Sequence, residues 1–171
     1  MRYNVSQLLK ELTGSTRHYD VDEVLASPEA QWGVELVVRG PVEMVRTPRG
    51  ILVIAELTSQ VPEVCSRCVE PLTEPVVVAL EEEFFPSVDV WSGAPVHVPD
   101  VDGYQIDQRH ILDLGEAFRQ GVWTALEIQP LCNPGCRGLC LNCGVNLNRE
   151  TCSCDATPAD PRWERLRRRS V

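Results

Sequence analysis

The sequence has no Gly-rich phosphate loop, no nucleophile elbow and no His-Glu-x-x-His, which removes the usual signatures of nucleotide, acyl-transfer and metalloprotease chemistry. Its three histidines, His18, His97 and His110, are scattered, so no Cys/His pair can be drawn from them. No run of about 18 apolar residues is present, which excludes a membrane-spanning helix. The opening stretch MRYNVSQLLKELTG lacks the apolar core of an export signal. The expected setting is therefore the reducing cytoplasm. Neither a membrane nor a small-molecule substrate is expected as a partner, and a non-enzymatic protein is the reading that fits these absences.

What is there begins with size and charge. A chain of 171 residues with a 43% hydrophobic fraction suits one globular domain with a small appendage. The formal net charge of −9 is unevenly spread. Residues 1–130 carry nine Arg or Lys against twenty-one Asp or Glu, a net of −12. Residues 131–171 carry seven Arg against four Asp or Glu, a net of +3. The acidic body repels nucleic acid, so any contact with RNA or DNA belongs to the C-terminal part.

The order of elements follows from local pattern. Asn4 and Gln7 have the spacing of a capping box before a short helix with Leu8, Leu9 and Leu12, and Gly14 stops it. The polar stretch STRHYDVDEVLASPEA reads as a bridge. Val34, Leu36 and Val38 alternate with polar residues as a half-buried strand does, and Pro41 punctuates it. The Thr47-Pro48-Arg49-Gly50 turn predicts a hairpin joining Val42–Val45 to Ile51–Thr58. Residues 86–102 read as an exposed loop in which His97 is a solvated side chain. Tyr104–Asp107 is a short strand, and residues 111–128 form a helix with Leu114, Phe118, Val122 and Leu126 on one face. Trp91 and Trp123 are core or rim aromatics. Asp160 and Pro161 start a last short helix bearing Arg162, Arg165, Arg167, Arg168 and Arg169. That arginine run is either a solvated end or an arm for phosphates.

Eight cysteines are the chemically informative residues. Cys140-x-x-Cys143-Gly has the shape of a zinc knuckle, in which two thiolates face one cation and the glycine lets the chain turn. Four ligands are needed, so a second pair comes from Cys132/Cys136 or from Cys152/Cys154, and spacing does not choose. Six thiolates exceed one four-cysteine site unless two are spare or a second site borrows ligands. The alternatives are free or redox-active thiols and disulfides. Cys65-x-x-Cys68 lies between two strands, near a hairpin tip. It is a metal pair, a structural pair or a redox motif, though a thioredoxin-like site would sit at a helix N-terminus.

Together, Cys65-Ser-Arg-Cys68, Gln-Pro-Leu-Cys132, the string Cys136-Arg-Gly-Leu-Cys140-x-x-Cys143-Gly-Val-Asn-Leu-Asn148 and the ending Cys152-x-Cys154-x(5)-Asp160-Pro161-Arg162 resemble the YceD family. Its members are also called large ribosomal RNA subunit accumulation proteins. The resemblance is dense after Cys65 and loose over the N-terminal third. Leu141 departs from the proline the family typically carries after the first knuckle cysteine. The resemblance implies a cytoplasmic bacterial factor that supports accumulation or maturation of the large-subunit (23S) ribosomal RNA by binding it or its precursor. It implies no catalytic activity.

The expected architecture is α+β: an antiparallel, barrel-like sheet with a packing helix over residues 1–130, a cysteine-rich zinc module over 131–155, and a short basic helix or tail over 156–171. The expected cofactor is Zn2+, one ion or two. Its ligands are expected among Cys132, Cys136, Cys140, Cys143, Cys152 and Cys154, with Cys65 and Cys68 as an additional metal or structural pair. Arg137, Arg149, Arg162, Arg165 and Arg167 are the RNA-binding candidates. The rival reading is a zinc-stapled adaptor whose acidic body receives a basic ribosomal protein.

Overall fold

The computed structural model describes residues 1–26, 35–96 and 103–154. His97 and the arginines Arg162, Arg165 and Arg167 lie outside the described residues, as does the expected C-terminal helix. Seven strands and two helices follow in the order β1 (Arg2–Asn4), α1 (Ser6–Leu9), β2 (Thr16–Ala26), β3 (Glu35–Arg46), β4 (Ile51–Val64), β5 (Pro71–Pro86), β6 (Tyr104–Ile106), β7 (Ile111–Asp113) and α2 (Gly115–Ala125). They divide into two compact units. One holds Met1–Glu63 and Thr73–Ile128; the other holds Val64–Leu72 and the chain from Gln129 onward.

The first unit is built on a five-stranded sheet of order β2-β3-β4-β5-β6. Period-two alternation makes β4 its centre: Ile51, Val53, Ala55, Leu57 and Val61 are buried, while Ile54, Glu56, Thr58, Gln60 and Pro62 face out. At about 1.5–3 kcal/mol for each large apolar side chain removed from water, that row is a main source of the unit's stability. Leu36, Val38, Val42 and Met44 of β3 and Val76, Val78 and Leu80 of β5 extend the same buried layer. Leu8 and Leu9 of α1, Leu112 of β7 and Phe118 and Val122 of α2 complete it. The two-stranded β1–β7 ladder pairs Arg2 with Asp113 and Asn4 with Ile111.

The sheet is open, and this corrects the barrel-like expectation. Among the described residues no ladder joins its edges, β2 and β6, and β6 pairs with β5 in parallel (Phe84 opposite Tyr104). Helices and the β1–β7 pair fill the apolar face, so it needs no closure onto itself. Three local differences have physical causes. β2 was hidden in the polar bridge because it is an edge strand that shows the core only Tyr19, Val21 and Leu25 in alternation with Asp20, Asp22 and Val24. β3 runs through Pro41, since Gly40 adopts φ +148° and lets the backbone lie where a Cβ would stand 2.0 Å from the Glu56 carbonyl oxygen. The helix expected over 111–128 loses its first residues to β7. The turn at Thr47–Gly50 is as expected, with the Thr47 N–H donating to the Gly50 carbonyl at 3.0 Å and the Gly50 N–H donating to Thr47 Oγ1 at 2.8 Å.

Gly121 explains why α2 tolerates a poor helix former. A Cβ there would meet Val78 Cγ1 at 2.2 Å, so the glycine lets the helix lie close on β5. Gly121→Ala should therefore destabilise the protein by about 1–3 kcal/mol through overpacking, despite the better helix propensity of alanine. Chemical denaturation of both proteins checks this; an alanine variant as stable as the parent would mean that the contact yields.

Candidate metal centres

The second unit contains two knuckles of the same construction. In the first, the Cys65 N–H donates to the Glu70 carbonyl (2.9 Å) and the Val69 N–H donates back to the Cys65 carbonyl (2.9 Å). In the second, the Cys140 N–H donates to the Val145 carbonyl (2.8 Å) and the Gly144 N–H donates to the Cys140 carbonyl (2.9 Å). The residue after the second cysteine is left-handed in both, Gly144 at φ +73° and Val69 at φ +58°. Glycine meets that demand freely, whereas a β-branched side chain at positive φ is strained. The turn at Val69 is thus imposed by what the knuckle holds and not by local preference.

Each knuckle is completed by a second pair of sulfurs. Cys65 and Cys68 meet Cys132 and Cys136; Cys140 and Cys143 meet Cys152 and Cys154; within each group all four Sγ atoms lie within 4.8 Å of one another. Cys65–Cys136 is 3.7 Å, Cys68–Cys132 3.6 Å, Cys143–Cys152 3.5 Å and Cys140–Cys152 3.3 Å. No disulfide joins them. A tetrahedral cation with metal–sulfur bonds of about 2.3 Å separates its sulfurs by about 3.8 Å. The clusters have nearly that size, and each is positioned to hold a metal ion. The first is the more enclosed, with Cys65, Cys68 and Cys136 buried against Leu72, Leu131 and Leu139. The second is more open, with Cys143 and Cys154 exposed.

Electrostatics agrees with that use. Backbone N–H groups of Cys132 and Cys68 hold the Cys65 thiol down to about 6, from an ordinary 9.0. Those of Cys143 and Asn142 hold Cys140 down to about 6. Desolvation, followed by the sulfurs of Cys136 and Cys68, pushes Cys132 up to about 12, and the sulfurs of Cys152 and Cys143 push Cys154 up to about 12. In the first cluster Cys65 and Cys136 are thus prepared to ionise while Cys68 and Cys132 resist; in the second Cys140 is prepared while Cys152 and Cys154 resist. Only a cation lets all four carry charge together.

Asn148 ties the two halves of the module to each other. Its Nδ2 donates to Cys136 Sγ (3.3 Å) and to Asn146 Oδ1 (2.9 Å), and its Oδ1 accepts from the Arg137 N–H (2.8 Å). Asn146 Nδ2 donates to Glu70 Oε1 (3.1 Å), and Arg149 Nη2 pairs with Glu70 Oε2 (2.8 Å). Arg67 Nη1 donates to the Cys136 carbonyl (3.0 Å), while its own carbonyl accepts from the Leu139 N–H (3.1 Å). Gly138, at φ +74°, allows that approach, since a Cβ would stand 3.0 Å from the Arg67 oxygen. Reading the sequence had passed over Asn146, Asn148 and Glu70, which orient the sulfurs without holding a cation. Their signal was the Asn-Leu-Asn string following the knuckle.

The structure thus brings all six C-terminal cysteines together with Cys65 and Cys68, in two groups of four. Of the RNA-binding candidates within the described residues, Arg137 is exposed between Cys136 and Gly138, and Arg149 is occupied by Glu70. Leu141, in the place of the family's proline, is 95% exposed and covers neither cluster. No helix of the described residues is long and apolar enough to cross a membrane.

A β-sheet unit followed by a module with two four-cysteine clusters defines a protein organised around metal-holding knuckles. The chain belongs to the YceD family: residues 53–168 match the family described as large ribosomal RNA subunit accumulation protein YceD. Uncharacterized proteins of Mycobacterium tuberculosis and Mycobacterium bovis are each 32% identical over 117 residues, covering 68% of this chain and 54% of the relative. A chloroplastic protein of Zea mays, named large ribosomal RNA subunit accumulation protein YCED homolog 1, is 40% identical over 47 residues, 28% of this chain and 16% of its own. The chain spans about half the length of the mycobacterial relatives it matches. No solved structure matches it.

Three outcomes follow from this geometry. Asn148→Ala should weaken metal retention at the first cluster by about 10–100-fold, read by competition with a chromophoric chelator, because the amide orients Cys136. Val69→Gly should stabilise the metal-loaded protein by about 1 kcal/mol, the released backbone strain exceeding the entropic cost of glycine, as thermal unfolding would measure. The third concerns pH. Cys65 and Cys140 ionise below their ordinary value, so their stabilising contribution is complete above pH 9.0 and is lost as pH falls through about 6. In metal-loaded protein the ion should therefore stay bound down to about pH 6 and be released as pH falls below it, read with a chromophoric indicator. Complete release already near the ordinary thiol value of 9.0 would contradict the amide arrangement.

Proposed function

We propose that this protein is a non-catalytic zinc protein that supports accumulation of large-subunit ribosomal RNA, and that its metal-braced module makes the RNA contact. Cys65, Cys68, Cys132 and Cys136 hold one Zn2+, and Cys140, Cys143, Cys152 and Cys154 hold a second. Sets of four thiolates suit a closed structural site, which leaves no coordination position for substrate. The observation that carries the reading is the placement of Arg137. It is an exposed guanidinium on the short segment held at Cys136 by one cluster and at Cys140 by the other. Arg fits phosphate oxygens in bidentate geometry, and a fixed backbone spares the ordering entropy of the segment. The seven arginines after residue 130 give this part of the chain the charge that the acidic body lacks. The names of the family and of the maize relative supply the RNA class.

Purified under reducing conditions, the protein should contain two zinc ions per chain by elemental analysis. Cys140→Ser with Cys143→Ser should leave about one, as should Cys65→Ser with Cys68→Ser, because structural zinc and local folding are one equilibrium. Binding to a large-subunit RNA fragment should weaken with salt, and Arg137→Ala should lower the slope of log affinity against log salt by about 0.7–0.9. RNA affinity indifferent to salt and to Arg137 would overturn the contact while leaving the zinc assignment to stand on its own measurement.

A further inference from the structure

The face of the five-stranded sheet that points away from the core has no covering element among the described residues. It is formed by outward positions of β2 to β5 and carries two depressions in line along the strands. One, of about 690 Å³, lies among His18, Asp20, Glu43, Ile54, Glu56 and Glu81. The other, of about 630 Å³, lies among Glu35, Val37, Thr58, Gln60, Pro62 and Val77. β3 crosses between them at Gly40, where the backbone lies close against Glu56. From Ile54 to Pro62 the trough is about 27 Å long at roughly 3.3 Å per strand residue. Its floor is apolar for a surface. Val24 (59% exposed), Val37 (43%), Ile54 (42%) and Val77 (57%) all present their side chains to water, with Val24 directly opposite Val37.

The charge around that floor is predominantly negative. Asp20, Asp22, Glu35, Glu43, Glu56 and Glu81 are set on it. Arg39, which also lines the second depression, is paired with Asp22 at 3.0 Å, and so leaves the remaining carboxylates without its charge. A nucleic acid is repelled by such a face. An extended polypeptide that carries both apolar and cationic side chains on one of its faces matches it in both respects, because every second side chain of a strand points to the same side and its backbone follows the sheet's strands.

We propose that this trough is a docking surface for an Arg- and Lys-rich polypeptide segment of about eight residues in extended conformation. Val37, Ile54 and Val77 receive its apolar side chains, and Glu35, Glu43, Glu56 and Glu81 receive its cations. The surface lies on the first unit and is independent of the RNA contact assigned to the second, so either can fail without the other.

The test uses the full zinc-loaded chain and a fluorescein-labelled peptide of repeated Arg-Ser-Val-Ser, which sets Arg and Val in turn on one face, followed by fluorescence anisotropy. A counterpart with Asp in place of Arg serves as control. The Arg peptide should bind with salt-sensitive affinity and the Asp peptide should not. The triple variant Glu43→Lys, Glu56→Lys, Glu81→Lys should weaken binding at least tenfold, and Ile54→Ser severalfold. Reversal of the exposed Glu150 should change nothing. Glu56 and Glu81 are exposed and Glu43 is half-buried, so unfolding midpoints should stay close to the parent; Glu→Gln versions, also weakened severalfold, serve if they do not. Unchanged affinity in both triple variants overturns the proposal. So does a concentration-dependent dimer in sedimentation that the reversals abolish, since a second copy would then occupy the face. Peptide affinity that rises tenfold when Arg165, Arg167, Arg168 and Arg169 are changed to Gln also overturns it, the chain's own end being then the occupant.

Discussion

Four sulfurs brought within 4.8 Å of one another are positioned to share a cation, and on the metal-bound reading the second unit depends on it. Among the described residues its buried apolar complement is small, three cysteines with Leu72, Leu131 and Leu139 packed at their margin. Burial of that extent does not hold a segment of this length against its conformational entropy. On that reading coordination energy takes the place of a core. This accounts for the local features that ordinary folding rules disfavour: Val69 at positive φ, an Asn side chain directed at sulfur, and thiols with strongly divided proton affinities.

The first unit works by the opposite means. Its sheet is stabilised by alternation of buried and exposed side chains, by a helix brought close at Gly121 and by a core to which α1, β7 and α2 all contribute. It has no need of a metal. The two units therefore respond to different conditions. Chelation and acid act on the cysteine module, whereas cavity-forming or overpacking substitutions act on the sheet. Charge is divided along the chain in a similar way, with a net of −12 over residues 1–130 and +3 over residues 131–171.

Much of this was legible in the residues. The apolar composition of Ile51–Thr58, the turn chemistry at Thr47–Gly50, and Leu114, Phe118 and Val122 on one helical face each carried enough signal to define an element. The Cys140 knuckle announced itself through spacing and its glycine. Three features were not legible, for separable reasons. β2 is an edge strand whose core-facing side offers only three apolar residues, Tyr19, Val21 and Leu25, interrupted by Glu23. The open form of the sheet depends on what covers one face, which no local pattern encodes. The assignment of four sulfurs to each cluster needed the fold, because Cys65 and Cys68 join Cys132 and Cys136 from the far side of the sheet's sequence. The excess of two thiolates in the C-terminal string was the available clue, and Val69 in the place of Gly144 disguised the first knuckle.

The distance along the chain between those partners also governs when the module can exist. Cys68 and Cys132 are 64 residues apart, and all of β5, β6, β7 and α2 lies between them. A ribosome making this protein releases the first pair of thiols long before the second. Until residue 136 emerges, that pair is a half-site with two sulfurs, open to any thiophilic ion or oxidant it meets. The second cluster, with its four cysteines between residues 140 and 154, closes almost as soon as it is synthesised. On the two-zinc reading proposed above, zinc supply during translation is thus most consequential for the cluster that in the folded chain is the more enclosed.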